Sequence, residues 1–163
     1  MTVEVEAKAP CQGAEEKVKS LGAEYVDTVF QEDTYFKHPC RDLRESDEAL
    51  RIRKTERHAL TYKGPKKKSD LKIREEIEFP VTEDAYPLLE RLGFEKAFTI
   101  RKTRKTYKLG ELTICCDDVE GLGEYVEVES KEPEDHDRIM EVLKELGVEE
   151  KATTKTYSEL LGV

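Results

Sequence analysis

A unit of strand, helix and turn occurs three times in this chain. Residues 3–22 begin VEVEAK, run through a helical stretch and close on LG, and residues 126–147 begin VEVESK and close the same way. A looser copy begins EIEFP at 76 and reaches LG at 92 and 93. Self-similarity of this kind marks one supersecondary unit used repeatedly. In Val3-Glu4-Val5-Glu6-Ala7-Lys8, strict alternation puts Val3, Val5 and Ala7 on one strand face and Glu4, Glu6 and Lys8 on the other. Val126 and Val128 oppose Glu127, Glu129 and Lys131 in the same manner. In the helices, Val18 with Leu21, Leu88 with Leu89 and Leu92, and Ile139 with Val142, Leu143 and Leu146 form apolar stripes. Gly22, Gly93 and Gly147 stand where these helices end. The apolar strand faces should therefore pack outward against helices, which leaves the acidic faces pointing elsewhere.

Between the units lie further alternating segments: 25–36, 49–54, 59–64, 71–79, 98–107, 112–117 and 123–128. Short turns such as LGE (109–111) and GPKKKSD (64–70) separate several of them, as hairpins require. The fold class expected is α+β, mainly antiparallel β with a few covering helices. At 163 residues the chain is expected to be a single domain over 1–163, with neither linker nor low-complexity region. Lys66, Lys67 and Lys68 read as a solvated turn, mobile at most.

Charge repeatedly falls on one side of these segments. Arg51 and Arg53 share a face, as do Arg74, Glu76 and Glu78, and Lys102 and Arg104, while Lys63 faces the same way as Thr61. Any one such pair is ordinary on the wet face of a sheet; the coincidence across seven strands is not. A sheet curled into a barrel with helices outside would line its interior with these groups. Isolated buried charges are costly, so the lining must compensate itself. The inventory nearly balances: Glu4, Glu6, Glu76, Glu78, Asp117, Glu127 and Glu129 against Lys8, Arg51, Arg53, Arg74, Lys63, Lys102 and Arg104. Arginine gives planar multidentate contacts to phosphate oxygens, lysine adds point charge, and clustered carboxylates hold Mg²⁺ or Mn²⁺. A polyanion can thus lie on the basic side while divalent metal bridges it to the acidic side. A GxxxxGK[ST] loop is absent, so phosphate binding would be by side chains.

With 28 Lys and Arg against 37 Asp and Glu, the net charge is −9, which disfavours a general nucleic-acid binder. No stretch approaches the roughly 18 apolar residues of a membrane helix, and MTVEVEAK lacks an apolar signal core, so a cytoplasmic location away from membranes is expected. Cys11, Cys40, Cys115 and Cys116 have no paired CxxC spacing and read as buried or half-buried thiols, with Cys115 and Cys116 on opposite strand faces if they lie in a strand. His38, His58 and His136 also lack paired spacing, and no catalytic role falls to them. Lys155 reads as an exposed residue ahead of a terminal helix.

Eight segments carry a resemblance: ExExK (Glu4, Glu6, Lys8), QEDTYF at 31–36, LRIR at 50–53, TYKGP at 61–65, REEIE at 74–78, RKTR at 101–104, DDVEGLGEYVEVE at 117–129 and TYSELL at 156–161. In this order, over nearly the whole chain, the sequence resembles the CYTH family, the triphosphate tunnel metalloenzymes. That family includes class IV adenylate cyclases, thiamine triphosphatases and inorganic triphosphatases. The resemblance implies an eight-stranded antiparallel barrel whose interior, the triphosphate tunnel, takes the substrate, with Mg²⁺ or Mn²⁺ as cofactor. It implies metal binding by Glu4, Glu6, Asp117, Glu127 and Glu129, with Glu76 and Glu78 as further candidates. It implies triphosphate binding by Lys8, Arg51, Arg53, Lys63, Lys102, Arg104 and also Arg74, with Lys102 and Arg104 as the catalytic pair. The family has an apolar residue before its aspartate, which Cys115-Cys116-Asp117-Asp118 blurs; counting back two from Val119 selects Asp117.

Three activities remain open: cyclisation of ATP to cyclic AMP and pyrophosphate, hydrolysis of tripolyphosphate or thiamine triphosphate, and non-catalytic sensing of a polyphosphate or nucleotide. The cyclase-like members resemble this chain most. Thiamine triphosphatases stack their substrate's ring on an aromatic residue, often Trp, and this chain has none, although Tyr or Phe can also stack. A homodimer is compatible with the sequence and not indicated by it.

Overall fold

The computed structural model describes residues 2–163. Eight strands, β1 (Thr2–Pro10), β2 (Glu24–Lys37), β3 (Ala49–Lys54), β4 (His58–Lys63), β5 (Lys72–Val81), β6 (Glu95–Leu109), β7 (Leu112–Val119) and β8 (Gly123–Ser130), close into an antiparallel barrel. Around the barrel the order is β1-β5-β4-β3-β2-β6-β7-β8, and β8 pairs with β1 to complete the ring. The first unit of the repeat, β1, ends in helix α1 (Ala14–Ser20), β5 leads to α2 (Ala85–Arg91), and β8 leads to α3 (His136–Glu145). A short helix, α4 (Tyr157–Leu161), ends the chain. Gly22, Gly93 and Gly147 each take a positive φ after their helices, the backbone region that glycine enters without steric cost.

The alternation has the effect expected of it. Val5, Ala7, Ala9, Val126, Val128 and Ile114 face out of the barrel and are buried beneath Val18 of α1 and Ile139, Val142 and Leu143 of α3. Cys116 belongs to this outer core and Cys115 points the other way, both buried, whereas Cys40, expected to be at least half-buried, is exposed in the loop after β2. The third unit departs from expectation. Helix α2 buries Ala85 and Leu89 against Phe36 and Ile52 of neighbouring strands, whereas Leu88 and Leu92 are 59% and 62% exposed. A helix of two turns has one narrow buried line, and positions 85 and 89 take it. The outward residues of β5, Ile77 and Phe79, consequently remain partly uncovered.

Inside the barrel, residues opposite one another on adjacent strands carry opposite charges: Asp33 faces Arg53, Lys63 faces Glu76, Arg104 faces Asp117, Lys8 faces Glu127, and Glu6 faces Lys72. Cross-strand pairing thus does the compensation that a charged interior requires. The interior is not wholly charged, however. At the end where β1, β2, β4 and β7 finish, α4 lies at the barrel mouth with Tyr157 reaching inward, and Tyr157, Leu160 and Leu161 pack in one cluster with Ile100, Val119, Leu122, Tyr125, Tyr35 and Phe98. This apolar plug was not expected from the sequence. The α4 N-terminus is fixed by a reciprocal capping box between Thr156 and Glu159. Among the described residues no helix is long and apolar enough to cross a membrane.

Candidate active site

Most of the inward charges line one cavity of about 910 Å³. On its basic wall Arg53 donates both Nε and Nη2 to Asp33, each at 2.8 Å, and Lys102 donates to the same carboxylate at 2.9 Å. Asp33 has no exposed surface. Burial alone would raise its pKa; the charges of Arg53 and Lys102 outweigh burial and hold the carboxyl well below its usual range. Lys102 pays the reverse penalty: burial, and then the neighbouring Arg53, lower its pKa to about 7. Arg51 is buried beside Tyr35 and 3.7 Å from Glu78. Arg104 donates bidentately to Asp117 at 2.8 and 2.7 Å and to Glu127 at 3.0 Å. Against the burial that would lower it, the Asp117 charge holds this guanidinium well above its usual range.

The acidic wall contains one grouping suited to a divalent ion. Glu4, Glu6 and Glu129 each offer a carboxylate oxygen, all within 4.8 Å of one another, and among the described residues no other set of His, Cys, Asp or Glu does this. Hard oxygen donors in such proximity fit Mg²⁺ or Mn²⁺ in kind. Burial and then Glu4 push Glu129 up to about 7. The other carboxylates expected to bind metal lie elsewhere. Asp117 and Glu127 are taken by Arg104, with Glu127 also 3.6 Å from Lys8; Glu76 is within reach of Lys63 and Lys131; Glu78 accepts from Thr61 at 2.7 Å.

Among the cations, Lys63 donates to Glu4 at 3.0 Å, and Lys8 lies 4.0 Å above the Tyr157 ring. Burial, followed by the neighbouring Lys72, lowers Lys8 to about 8. Arg74, expected among the triphosphate contacts, lines the cavity and donates Nε to Gly64 O at 2.7 Å and Nη2 to Asp47 O at 3.1 Å. It therefore ties the loops 38–48 and 64–71 to the barrel. Lys66 is also not the solvated residue expected, because its ammonium meets Glu159 of α4 at 2.6 Å and its backbone N–H donates to Asp47. Lys67 and Lys68 are exposed, as is Lys155, whose carbonyl accepts from Lys8.

Asp33, Lys72 and Tyr157 were absent from the expected set. Strand parity pointed to the first two, since Asp33 is two residues from Tyr35 on an inward face and Lys72 two residues before Arg74. Tyr157 lies in the TYSELL segment, but nothing local showed that it reaches Asp117 across 40 residues of sequence. The lining of the cavity also includes residues of loop 38–48, beside which Tyr35 stacks on Phe98 with ring centroids 4.8 Å apart and Arg44 lies over Phe98.

Comparison with known proteins agrees with this architecture. Residues 2–158 match the CYTH domain family. A Methanocaldococcus jannaschii protein whose name provisionally makes it an adenylate cyclase is 39% identical over 158 residues, covering 91% of this chain and 90% of its own. A solved structure of a Pyrococcus horikoshii protein superposes with a TM-score of 0.89 at 40% identity, over 97% of each chain. A Hippeastrum protein, named provisionally as an adenylyl cyclase and described as having a dominant triphosphatase activity, shares the fold with a TM-score of 0.73 at 21% identity, over 99% of this chain and 95% of its own.

Proposed function

The chain belongs to the CYTH domain family, and from that premise we propose that it is a metal-dependent enzyme of class IV adenylate cyclase type, converting ATP to cyclic AMP and pyrophosphate. The observation that carries this reading is the continuity of the cavity. Its charged zone, with Arg51, Arg53, Lys63, Lys102 and Arg104, suits a triphosphate chain, and the zone beside Tyr35, Phe98 and Arg44 leaves room for a nucleoside attached to it. The name of the M. jannaschii relative supports the same choice.

Arg53 and Lys102, oriented by their common partner Asp33, would grip phosphate oxygens from one side. Arg104, fixed by Asp117, would grip from the next strand. Glu4, Glu6 and Glu129 would hold Mg²⁺ or Mn²⁺, which supplies Lewis-acid neutralisation of phosphate charge when bound. In cyclisation the ribose 3′ hydroxyl releases its proton to solvent as its oxygen bonds to the α-phosphorus, the bond from that phosphorus to the α–β bridging oxygen breaks, and pyrophosphate leaves with the charge that the basic wall would stabilise.

A second reading, hydrolysis of the terminal phosphate of tripolyphosphate or of an organic triphosphate, draws on the description of the Hippeastrum protein. The same cage would then hold the chain in another register, with water as nucleophile. Incubation with ATP, tripolyphosphate and thiamine triphosphate, each with Mg²⁺ or Mn²⁺, separates the two. Pyrophosphate with a cyclic nucleotide supports the cyclase; orthophosphate from tripolyphosphate, with no cyclic product from ATP, replaces it by the triphosphatase.

A further inference from the structure

Lys72 has no part in the reading above, yet its ammonium sits in the carboxylate group. It faces Glu6 in the β1–β5 register, its Nζ is 2.7 Å from Glu6 Oε2, and it is buried. Glu6 is its one ion-pair partner among the described residues. Lys8 stands further from the same oxygen, at 3.7 Å, and Lys63 holds Glu4 at 3.0 Å. An oxygen engaged by an ammonium must release it, or share it at a Coulombic cost, before ligating a divalent ion. A polyphosphate arriving in the cavity offers these lysines a second anionic partner.

We propose that Lys72 is a built-in competitor for the metal site: its ammonium suppresses divalent-ion binding at Glu6 until a triphosphate draws it away, so that metal and triphosphate bind with positive coupling. The inference rests on the tunnel being a metal and triphosphate site. Because coupling between two ligands is reciprocal, each should raise the affinity of the other by the same factor. A cation resident at Glu6 in the absence of ligand keeps the acidic wall electrically satisfied and ties full metal occupancy to the presence of substrate. Arg74, two residues along β5, is bound to backbone carbonyls and cannot substitute for Lys72 in this role.

The test is calorimetric titration of the full chain with Mn²⁺, with and without a non-hydrolysable methylene analogue of tripolyphosphate. Two neutral variants, Lys72→Gln and Lys72→Met, guard against a folding failure in either one, and circular dichroism checks both. Lys72→Arg keeps the charge. Without the analogue, both neutral variants should bind Mn²⁺ about tenfold more tightly than wild type, within the usual range of coupling. Lys72→Arg should bind no more tightly than wild type, and the gain in Mn²⁺ affinity on adding the analogue should shrink in the neutral variants. Unchanged or weaker Mn²⁺ binding by the folded neutral variants overturns the competitor role while leaving the tunnel reading intact. If the analogue brings no Mn²⁺ into the wild-type protein beyond what it chelates alone, the tunnel reading falls and the competitor role with it.

Discussion

Tyr157, on the terminal helix, donates its hydroxyl hydrogen to Asp117 Oδ2 at 2.7 Å, inside the barrel and below the ammonium of Lys8. This contact joins the apolar plug to the charged lining, because Asp117 also receives both guanidinium donors of Arg104. Burial, reinforced by Glu127 and Asp117, holds the phenol well above its usual pKa, so it remains a donor across the working pH range. Tyr157→Phe keeps the ring and removes one bond to a charged acceptor. It should cost about 1.5–3 kcal/mol of stability, seen as a lower urea midpoint at unchanged m. A loss below about 0.5 kcal/mol, the size of an ordinary surface change, would mean that packing alone seats the helix.

Asp33 fixes two cations that would hold phosphate and is expected to touch no substrate itself. Asp33→Asn preserves size and removes the charge that orients them, so kcat for triphosphate turnover should fall at least tenfold while KM changes less, the attraction of the basic wall being retained or increased. Asp33→Glu, which restores charge at a displaced position, should recover part of kcat. Steady-state kinetics on the two folded variants decide it; a rise in KM at constant kcat would make Asp33 a determinant of ground-state binding instead.

The carboxylate group gives a sharper contrast. Glu4→Gln and Glu6→Gln should each abolish metal-dependent turnover and leave the barrel folded, since neither residue belongs to the outer core. Each substitution also leaves an ammonium without its carboxylate, Lys63 for Glu4 and the buried Lys72 for Glu6, so thermal stability should fall, more for Glu6→Gln. Excess chelator should silence the wild-type enzyme. Full activity in either variant, or in chelator, would remove the metal assignment.

Strand parity made much of this legible beforehand. The repeat placed β1, β5 and β8 with their helices, and alternation alone set Glu4, Glu6, Arg51, Arg53, Lys102 and Arg104 on inward faces. What alternation could not supply was pairing. Whether Arg104 meets Asp117, or Lys72 meets Glu6, depends on the register between strands, and two-residue periodicity excludes odd slips without choosing among the even ones. The same gap explains Arg74, whose parity is right but whose Nε and Nη2 go to loop carbonyls. The plug was hidden for a different reason: α4 has only five helical residues, too few for a periodic stripe to declare which face it buries.

Lys102 ties pH to both stability and binding. Burial and the adjacent Arg53 lower its pKa from the usual 10.5 to about 7 in the fold. Between those values the unfolded chain holds a proton that the folded chain has released. Stability attributable to this group therefore increases as pH rises from about 7 toward 10.5, and its burial is most costly below 7, where the folded protein must carry the charge. Triphosphate binding runs the other way. The ligand favours the ammonium, so binding takes up a proton above pH 7, and affinity should fall as pH rises through and beyond that value. Phosphate groups titrate nearby as well, and the contribution of Lys102 is the part that a variant removes. Calorimetric titration of the wild type and Lys102→Met with the methylene analogue between pH 6 and 9 should show a decline with pH that is shallower in the variant by one proton's worth. Proton uptake, read from the dependence of the binding heat on buffer ionisation, should vanish by the same amount. Parallel curves for the two proteins would show that Lys102 does not change protonation on binding.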